Sequence, residues 1–277
     1  MRKLVSAGIG LLALAGTSHP TMAADLKAPA YKAPLEVWSW TGVYVGANAG
    51  YSWGRSGTDV TVNNSNTNAY LFTTNSTFDL RGGDVGVQIG VNWQSGIWVG
   101  GFEADLQATG ERGSAGFTCP AGVCSTSTAV PAAARILSGS ISQKIAWFGT
   151  LRGRLGVTIT PTILAYGTAG IAYGEVYSDG TLNGVGAAGP VSNTFSSTDS
   201  TTKTGWTAGF GVEARLWDNW TGKFEYLYVD LTRFSATGVL PTNAPPVNVT
   251  YSSRVNDSIV RVGLNYKIEN GPVVAKY

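Results

Sequence analysis

The sequence lacks most of what catalytic and nucleic-acid-binding proteins use. One of its 277 residues is histidine, His19, two are cysteine, and 13% are charged, against ~25% in an average soluble domain. Hydrolases of the Ser-His or Cys-His kind need an imidazole as general base, and His19 falls in a segment read below as cleaved. Such catalysis is therefore excluded by composition. Lysine plus arginine number 19 and aspartate plus glutamate 17, too even a balance for a nucleic-acid footprint. Beyond the N-terminal segment no apolar run approaches the ~18 residues of a membrane helix. Helical spanning is excluded; spanning by strands is not.

The chain opens "MRKLVSAGIGLLALAGTSHPTMAADLKAP". Arg2 and Lys3 precede an apolar run from Leu4 to Ala15, and small residues at Thr21 and Ala23 set a cleavage site. This is the layout of a secretory signal peptide covering 1–23, cut after Ala23; a membrane anchor needs about 20 apolar residues, and the run stops short of that. Residues 24–39, with "DLKAPAYKAP", read as an extended Pro-rich periplasmic lead-in rather than a domain. In an exported, oxidising setting Cys119 and Cys124 of "CPAGVC" are expected to form a small-loop disulfide worth at most about 2 kcal/mol. A metal site would need further ligands, so no metal is expected.

What is present is alternation. In "GGDVGVQIGVNWQSGIWVGGFEADLQATG" residues Val85, Val87, Ile89, Val91 and Trp93 fall on one face and Asp84, Gly86, Gln88, Gly90 and Asn92 on the other, the signature of a strand with one oily face. After a turn at 94–96 the alternation resumes, with Phe102, Ala104 and Leu106 opposed to Glu103, Asp105 and Gln107. Five further segments repeat the split. Val43, Val45 and Ala47 oppose Tyr44, Gly46 and Asn48. Ile145, Trp147, Leu151, Leu155 and Val157 oppose Thr150, Arg152 and Arg154. Trp206, Phe210 and Val212 oppose Glu213 and Arg215; Phe224, Tyr226 and Tyr228 oppose Lys223 and Glu225; Val260, Val262 and Leu264 oppose Arg261 and Lys267. An eighth segment, "ILAYGTAGIAYG", is apolar on both faces and fixes no register.

Connections at 94–96, 158–162 and 217–219 are short, whereas those at 55–83, 110–143, 177–202 and 232–254 are long and rich in Ser, Thr, Asn and Gly. Short turns at one end and long loops at the other are the layout of an outer-membrane barrel. The expected fold is all-β: an eight-stranded antiparallel transmembrane β-barrel over 40–268, with four long extracellular loops, short periplasmic turns and a 269–277 tail. Tryptophans near strand ends, such as Trp53, Trp93, Trp98, Trp206, Trp217 and Trp220, suit interfacial girdles. The charge-bearing face then points inward, making Asp84, Glu103, Asp105, Arg152, Arg154, Glu213, Arg215, Lys223, Glu225, Arg261 and Lys267 the expected interior or pore-lining residues. Glycines on that face, including Gly46, Gly86, Gly101 and Gly209, are expected to make room for them. The pairs Glu103 with Asp105 and Glu213 with Glu225 could in principle do acid–base work, but buried charges need partners, and bridges to the arginines are the expected role. Scattered GxG spacings lie within strands, with no helix following, so no phosphate loop is read.

"WTGVYVGANAGYSWG", "FGTLRGRLGV", "GWTAGFGVEARL", "KFEYLYVDL" and "RVGLNYK" together resemble the OmpA-like eight-stranded barrels, most closely the porin-like outer-membrane surface proteins of alphaproteobacteria. Many such barrels end in a final-strand Phe; this chain instead runs past Ile268 to Tyr277. The resemblance implies an abundant envelope component of a Gram-negative cell, with a porin-like or stabilising role. Haem binding is described for some members, and the resemblance by itself assigns it to no residue of this sequence. The expected function is therefore a non-enzymatic, porin-like barrel without cofactor. The alternative is a closed structural or surface-interaction barrel that binds a ligand or partner, haem or a host surface among them, through its loops. Eight strands leave an interior just wide enough for side chains, which favours a closed or barely conducting barrel. Expected partners are outer-membrane lipid, the barrel-assembly machinery during biogenesis, a small solute or surface ligand, and a monomeric or weakly oligomeric state.

Overall fold

The computed structural model describes residues 38–64, 70–119, 135–186, 189–240 and 247–268. The expected signal peptide, the lead-in as far as residue 37, the tail and Cys124 lie outside the described residues. Cys119 closes a strand, and the expected disulfide to Cys124 falls outside the described residues with it.

The described residues form nine strands: β1 (Gly42–Asn64), β2 (Tyr70–Ser95), β3 (Trp98–Thr109), β4 (Arg112–Cys119), β5 (Arg135–Thr160), β6 (Ile163–Gly186), β7 (Gly189–Trp217), β8 (Trp220–Leu240) and β9 (Val247–Ile268). All pairings are antiparallel, and β9 pairs with β1 to close the ring. β3 and β4 both pair with β5 and both meet β2. Across the gap between them Gly110 N–H still donates to Gly83 O at 2.9 Å. They are one stave, and the barrel has eight.

Following directly opposed residues from Tyr44 leads through Gly90, Glu103, Arg152, Gly170, Thr207, Val229 and Asp257 and returns to β1 at Gly54, ten residues further along. With strands ~4.8 Å apart and ~3.3 Å rise per residue, that stagger tilts the strands about 40° from the barrel axis. Through the membrane half no stave is left with an open edge, whereas N-terminal to Gly205 β7 pairs with β6 and not with β8.

The short turns and long connections lie at opposite ends, as expected, but most of the length read as loop is strand. β1 runs on to Asn64 and β2 begins at Tyr70, pairing all the way. The reason is a change of phase. In the membrane half of β2 the outward residues Val85, Val87, Ile89 and Trp93 are more than half exposed, while Asp84 and Gln88 point inward. Above Gly82 the same inward parity carries Leu80 and Phe78, both buried, and the outward parity carries Arg81, Asp79 and Thr77. β8 inverts likewise, from inward Lys223 and Glu225 to inward Leu227, Val229 and Leu231. Lipid outside demands an apolar exterior; water outside demands an apolar interior.

One strand departs from its expected facing. On β5 the register shifts between Ile145 and Trp147, a β-bulge at Ala146 that reverses parity. Ile145, expected on the lipid face, therefore points inward and is 3% exposed, joining Phe148 in the interior. The ambiguous segment, now β6, turns its even residues inward: Leu164, Tyr166 and Ala172 are buried, while Ile171 and Tyr173 face out.

Candidate functional site: the barrel interior

The interior is stacked in layers. At the periplasmic mouth Trp40 is 3% exposed and packs with Val99, Leu164 and Tyr166, with Trp38 against them. Its backbone N–H donates to Gln94 Oε1 at 2.8 Å. This cap is also where two expected interior charges are found. Arg215 is exposed, its guanidinium 4.6 Å from the Trp38 ring centre and its Nε donating to Asp218 O at 3.0 Å. Lys267 lies half-buried with Nζ 4.5 Å from the same ring, donating to Ser39 O at 2.5 Å. Both sit at strand ends, where the inward parity opens onto the rim instead of the lumen.

Above the cap lies a charge cluster of four acids and four bases. Arg152 reaches Glu103 at 2.5 Å, Asp105 at 2.8 Å and Glu225 at 3.1 Å. Arg261 reaches Glu225 at 2.6 Å and Asp105 at 3.0 Å. Lys223 meets Glu103 at 2.8 Å and Arg154 meets Glu213 at 2.8 Å. Each side chain in these pairs is at most 4% exposed. Residues from β3, β5, β7, β8 and β9 thus converge, and neutral donors fill remaining lone pairs: Thr150 Oγ1 donates to Asp105 at 2.8 Å and Asn265 Nδ2 to Glu213 at 2.8 Å. Desolvated charges are tolerated only when paired and hydrogen-bonded to this degree.

Two tyrosines complete the cluster. Tyr44 Oη donates to Glu103 at 2.8 Å and accepts from Arg154 Nη1 at 2.8 Å. Tyr166 Oη donates to Glu225 at 3.0 Å, with the Arg154 guanidinium 3.9 Å above its ring. Each ring lies over an inward glycine. A Cβ on Gly90 would sit 2.3 Å from Tyr44 Oη, and one on Gly211 2.6 Å from Tyr166 Oη. The glycines expected to make room for charges mostly face amides instead: Gly46 faces Asn265 and Gln88, Gly86 faces Gln107, and Gly101 faces Asn92.

Asp84 stands apart from the paired cluster. It is buried with Glu111 and Asp257, which face one another. Among the described residues none of the three has an ion-pair partner within 4 Å, and Ser52 and Asp257 are the side chains facing Glu111. Above this acidic step comes the apolar layer: Phe78, Leu80, Ile145, Phe148, Val176, Leu227, Val229, Leu231, Val255 and Ile259, all buried and mutually packed. The void among them is about 10 Å³, the lower limit for a single water. Higher still, Ser56, Thr58, Gln143 and Ser253 form a hydroxyl and amide layer.

Inward parity of the membrane segments gave the charged members in advance. The apolar layer and Trp40 were missed. The available signal was the continuation of alternation in opposite phase, through "FDL", a stretch read as loop, and through "LYVDL" and "VND", where the last two strand segments meet their loop. Among the described residues no group of acids, cysteines and histidines has the arrangement to hold a metal ion, and the chemistry available is ion pairing and exclusion.

Residues 9–267 match the family described as outer membrane protein beta-barrel domain. The 31 kDa outer-membrane immunogenic protein of Brucella melitensis is 35% identical over 272 residues, spanning 96% of this chain and all of that one. The 22 kDa outer membrane protein of Rhizobium leguminosarum is 34% identical over 203 residues, 73% of this chain and 69% of that one. Among solved structures, OprG of Pseudomonas aeruginosa aligns over 83% of this chain and 97% of its own, at 14% identity and a TM-score of 0.44.

Proposed function

The chain belongs to the outer membrane protein beta-barrel family and resides in the outer membrane, and from that premise we propose that it works as a closed, non-enzymatic barrel whose exposed upper wall is its functional surface. The observation that carries this is the pair of apolar seals, Trp40 below the charge cluster and the Leu80–Leu227–Ile259 layer above it. A porin-like path would have to part both seals and break a balanced set of buried ion pairs, each costly to disrupt. The charged groups then serve as the core of the membrane half instead of lining a pore.

Beyond the girdle residue Trp53, β1 continues for eleven residues to Asn64. At the strand tilt above, this lifts the wall roughly 25–30 Å past the membrane surface. Its outer face carries cross-strand hydroxyl pairs, Thr61 with Thr73, Ser140 with Thr181 and Thr237 with Thr250. A raised, polar, hydrogen-bonding sheet suits recognition by large partners, and the immunogenic relatives are consistent with a surface that is seen from outside. No cofactor is part of this reading. The carboxylates of the interior are tied to arginine and lysine, which leaves Glu103, Asp105, Glu213 and Glu225 unsuited to proton transfer. Insertion by the assembly machinery, contact with outer-membrane lipid and a monomeric or weakly oligomeric state belong to the same proposal.

Liposome swelling with the refolded protein tests it. Wild type is expected to hold small sugars back over the time in which an open porin equilibrates them. Rapid swelling by wild type would overturn the proposal in favour of a porin.

A further inference from the structure

We infer that the outer wall carries a binding site for a phosphorylated glycolipid of the outer leaflet, built by Arg81, Arg112 and Lys144 just above the aromatic girdle. Following each of four neighbouring staves outward from the apolar belt, the first charged outward residue is basic on every one: Arg55 on β1, Arg81 on β2, Arg112 on β4 and Lys144 on β5. On the other side the corresponding residues are Glu175 on β6, which accepts from Trp147 Nε1 at 3.0 Å, and Asp230 on β8, which pairs with Arg254 of β9 at 2.5 Å. Arg254 is thus matched by an acid of the neighbouring strand, as Arg233 of β8 is by Asp59.

The arrangement of the three central cations points to an anion. Arg81 is directly opposite Arg112, and Arg112 directly opposite Lys144. Like charges directly opposed on adjacent strands destabilise a sheet, and here two such pairs share a residue. All three side chains are exposed and outward. Arg81 and Arg55 share one acid, Asp79, at 2.9 and 3.6 Å. Among the described residues no carboxylate lies within ion-pair distance of Arg112 or Lys144. The row therefore has more charge than the protein neutralises, and a guanidinium pair beside an ammonium is a phosphate-binding set.

The height selects a lipid as the carrier of that phosphate. Trp53 is directly opposite Arg81, and tryptophans mark the headgroup level. Below the row the wall is aliphatic, with Val85 60% and Leu106 50% exposed, a surface for acyl chains. Beside it lies an open groove of about 440 Å³ lined by Trp53, Arg55, Asp79, Arg81, Tyr228 and Asn256, among others, where sugar would rest against aromatic faces. A membrane lipid places acyl chains, sugar and phosphate at these three levels together; a free phosphate uses only one.

Native mass spectrometry of the folded protein from neutral-detergent micelles, titrated with diphosphoryl lipid A, tests this. Wild type is expected to retain the lipid at least tenfold more tightly than a dephosphorylated lipid A of the same acyl pattern. The Arg81→Gln, Arg112→Gln, Lys144→Gln triple variant should lose at least tenfold, the single Arg112→Gln variant about threefold, and Arg254→Gln less than twofold. Lipid should raise the unfolding temperature of wild type and not of the triple variant, which, freed of its opposed cations, should by itself melt no lower than wild type. Equal binding by wild type and the triple variant, or equal binding of the dephosphorylated lipid, would overturn the inference. Displacement of the lipid by equimolar pyrophosphate would overturn it too, by assigning the row to free phosphate.

Discussion

Below Gly82 the barrel of β1–β9 has charge inside and hydrocarbon outside; above it the same strands have hydrocarbon inside and charge or hydroxyl outside. Along β1 and β2 the backbone does not distinguish the halves: β2 passes from one to the other with unbroken pairing to β1. What differs is the solvent beyond the wall. In the lower half lipid has taken the apolar residues, so the interior is filled by Arg152, Arg261, Glu103, Asp105 and Glu225, held by mutual pairing. In the upper half water takes the polar residues, and Leu80, Leu227 and Ile259 form a core of the ordinary hydrophobic kind. A single sheet thus carries two folding principles, with the acidic step of Asp84, Glu111 and Asp257 where they meet.

The comparison predicts that the halves fail differently. The largest effect is expected in the lower half. Arg261→Ala leaves Asp105 and Glu225 buried with one cation fewer and should cost about 3–5 kcal/mol, read as a lower urea midpoint by heat-modifiable gel mobility. In the upper half Leu227→Ala removes packing only, and should cost about 2–4 kcal/mol in the same measurement. If the Leu227 change proves the more damaging, the charge cluster is not what holds the membrane half. At the junction the sign should reverse: Glu111→Gln removes one of three adjacent acids and relieves like-charge repulsion, so the midpoint should rise, whereas Glu225→Gln, which strips bonds from Arg152 and Arg261, should lower it. The smallest effect belongs to the exterior. Arg233 and Asp59 are 63% and 36% exposed in their pair, and Arg233→Gln should leave the midpoint unchanged within error.

Much of this was legible residue by residue. Alternation in "GVQIGVNW" gave both faces of β2, and the absence of charge on the oily face gave the lipid side. The charged members of the paired cluster followed by parity alone; Arg215 and Lys267 did not join it, because parity says nothing of where a strand leaves the lumen, and the buried acids Glu111 and Asp257, outside the segments read as strand, were missed. Ile145 escaped because a bulge at Ala146 inverts parity without any mark such as glycine or proline in "KIAWF". The upper half escaped because a phase reversal in hydroxyl-rich sequence resembles the end of a strand.

The sequence by itself determined an exported barrel with one lipid-facing surface, since those properties are periodic and local. Only the tertiary structure decided which acid meets which base, that both ends of the charge cluster are sealed, and that Arg81, Arg112 and Lys144 stand in one row. Asp105 and Arg261 are 156 residues apart in sequence. They meet because the ten-residue stagger of a closed ring fixes the height of every strand against every other, and that quantity belongs to the closed sheet and to no segment of it.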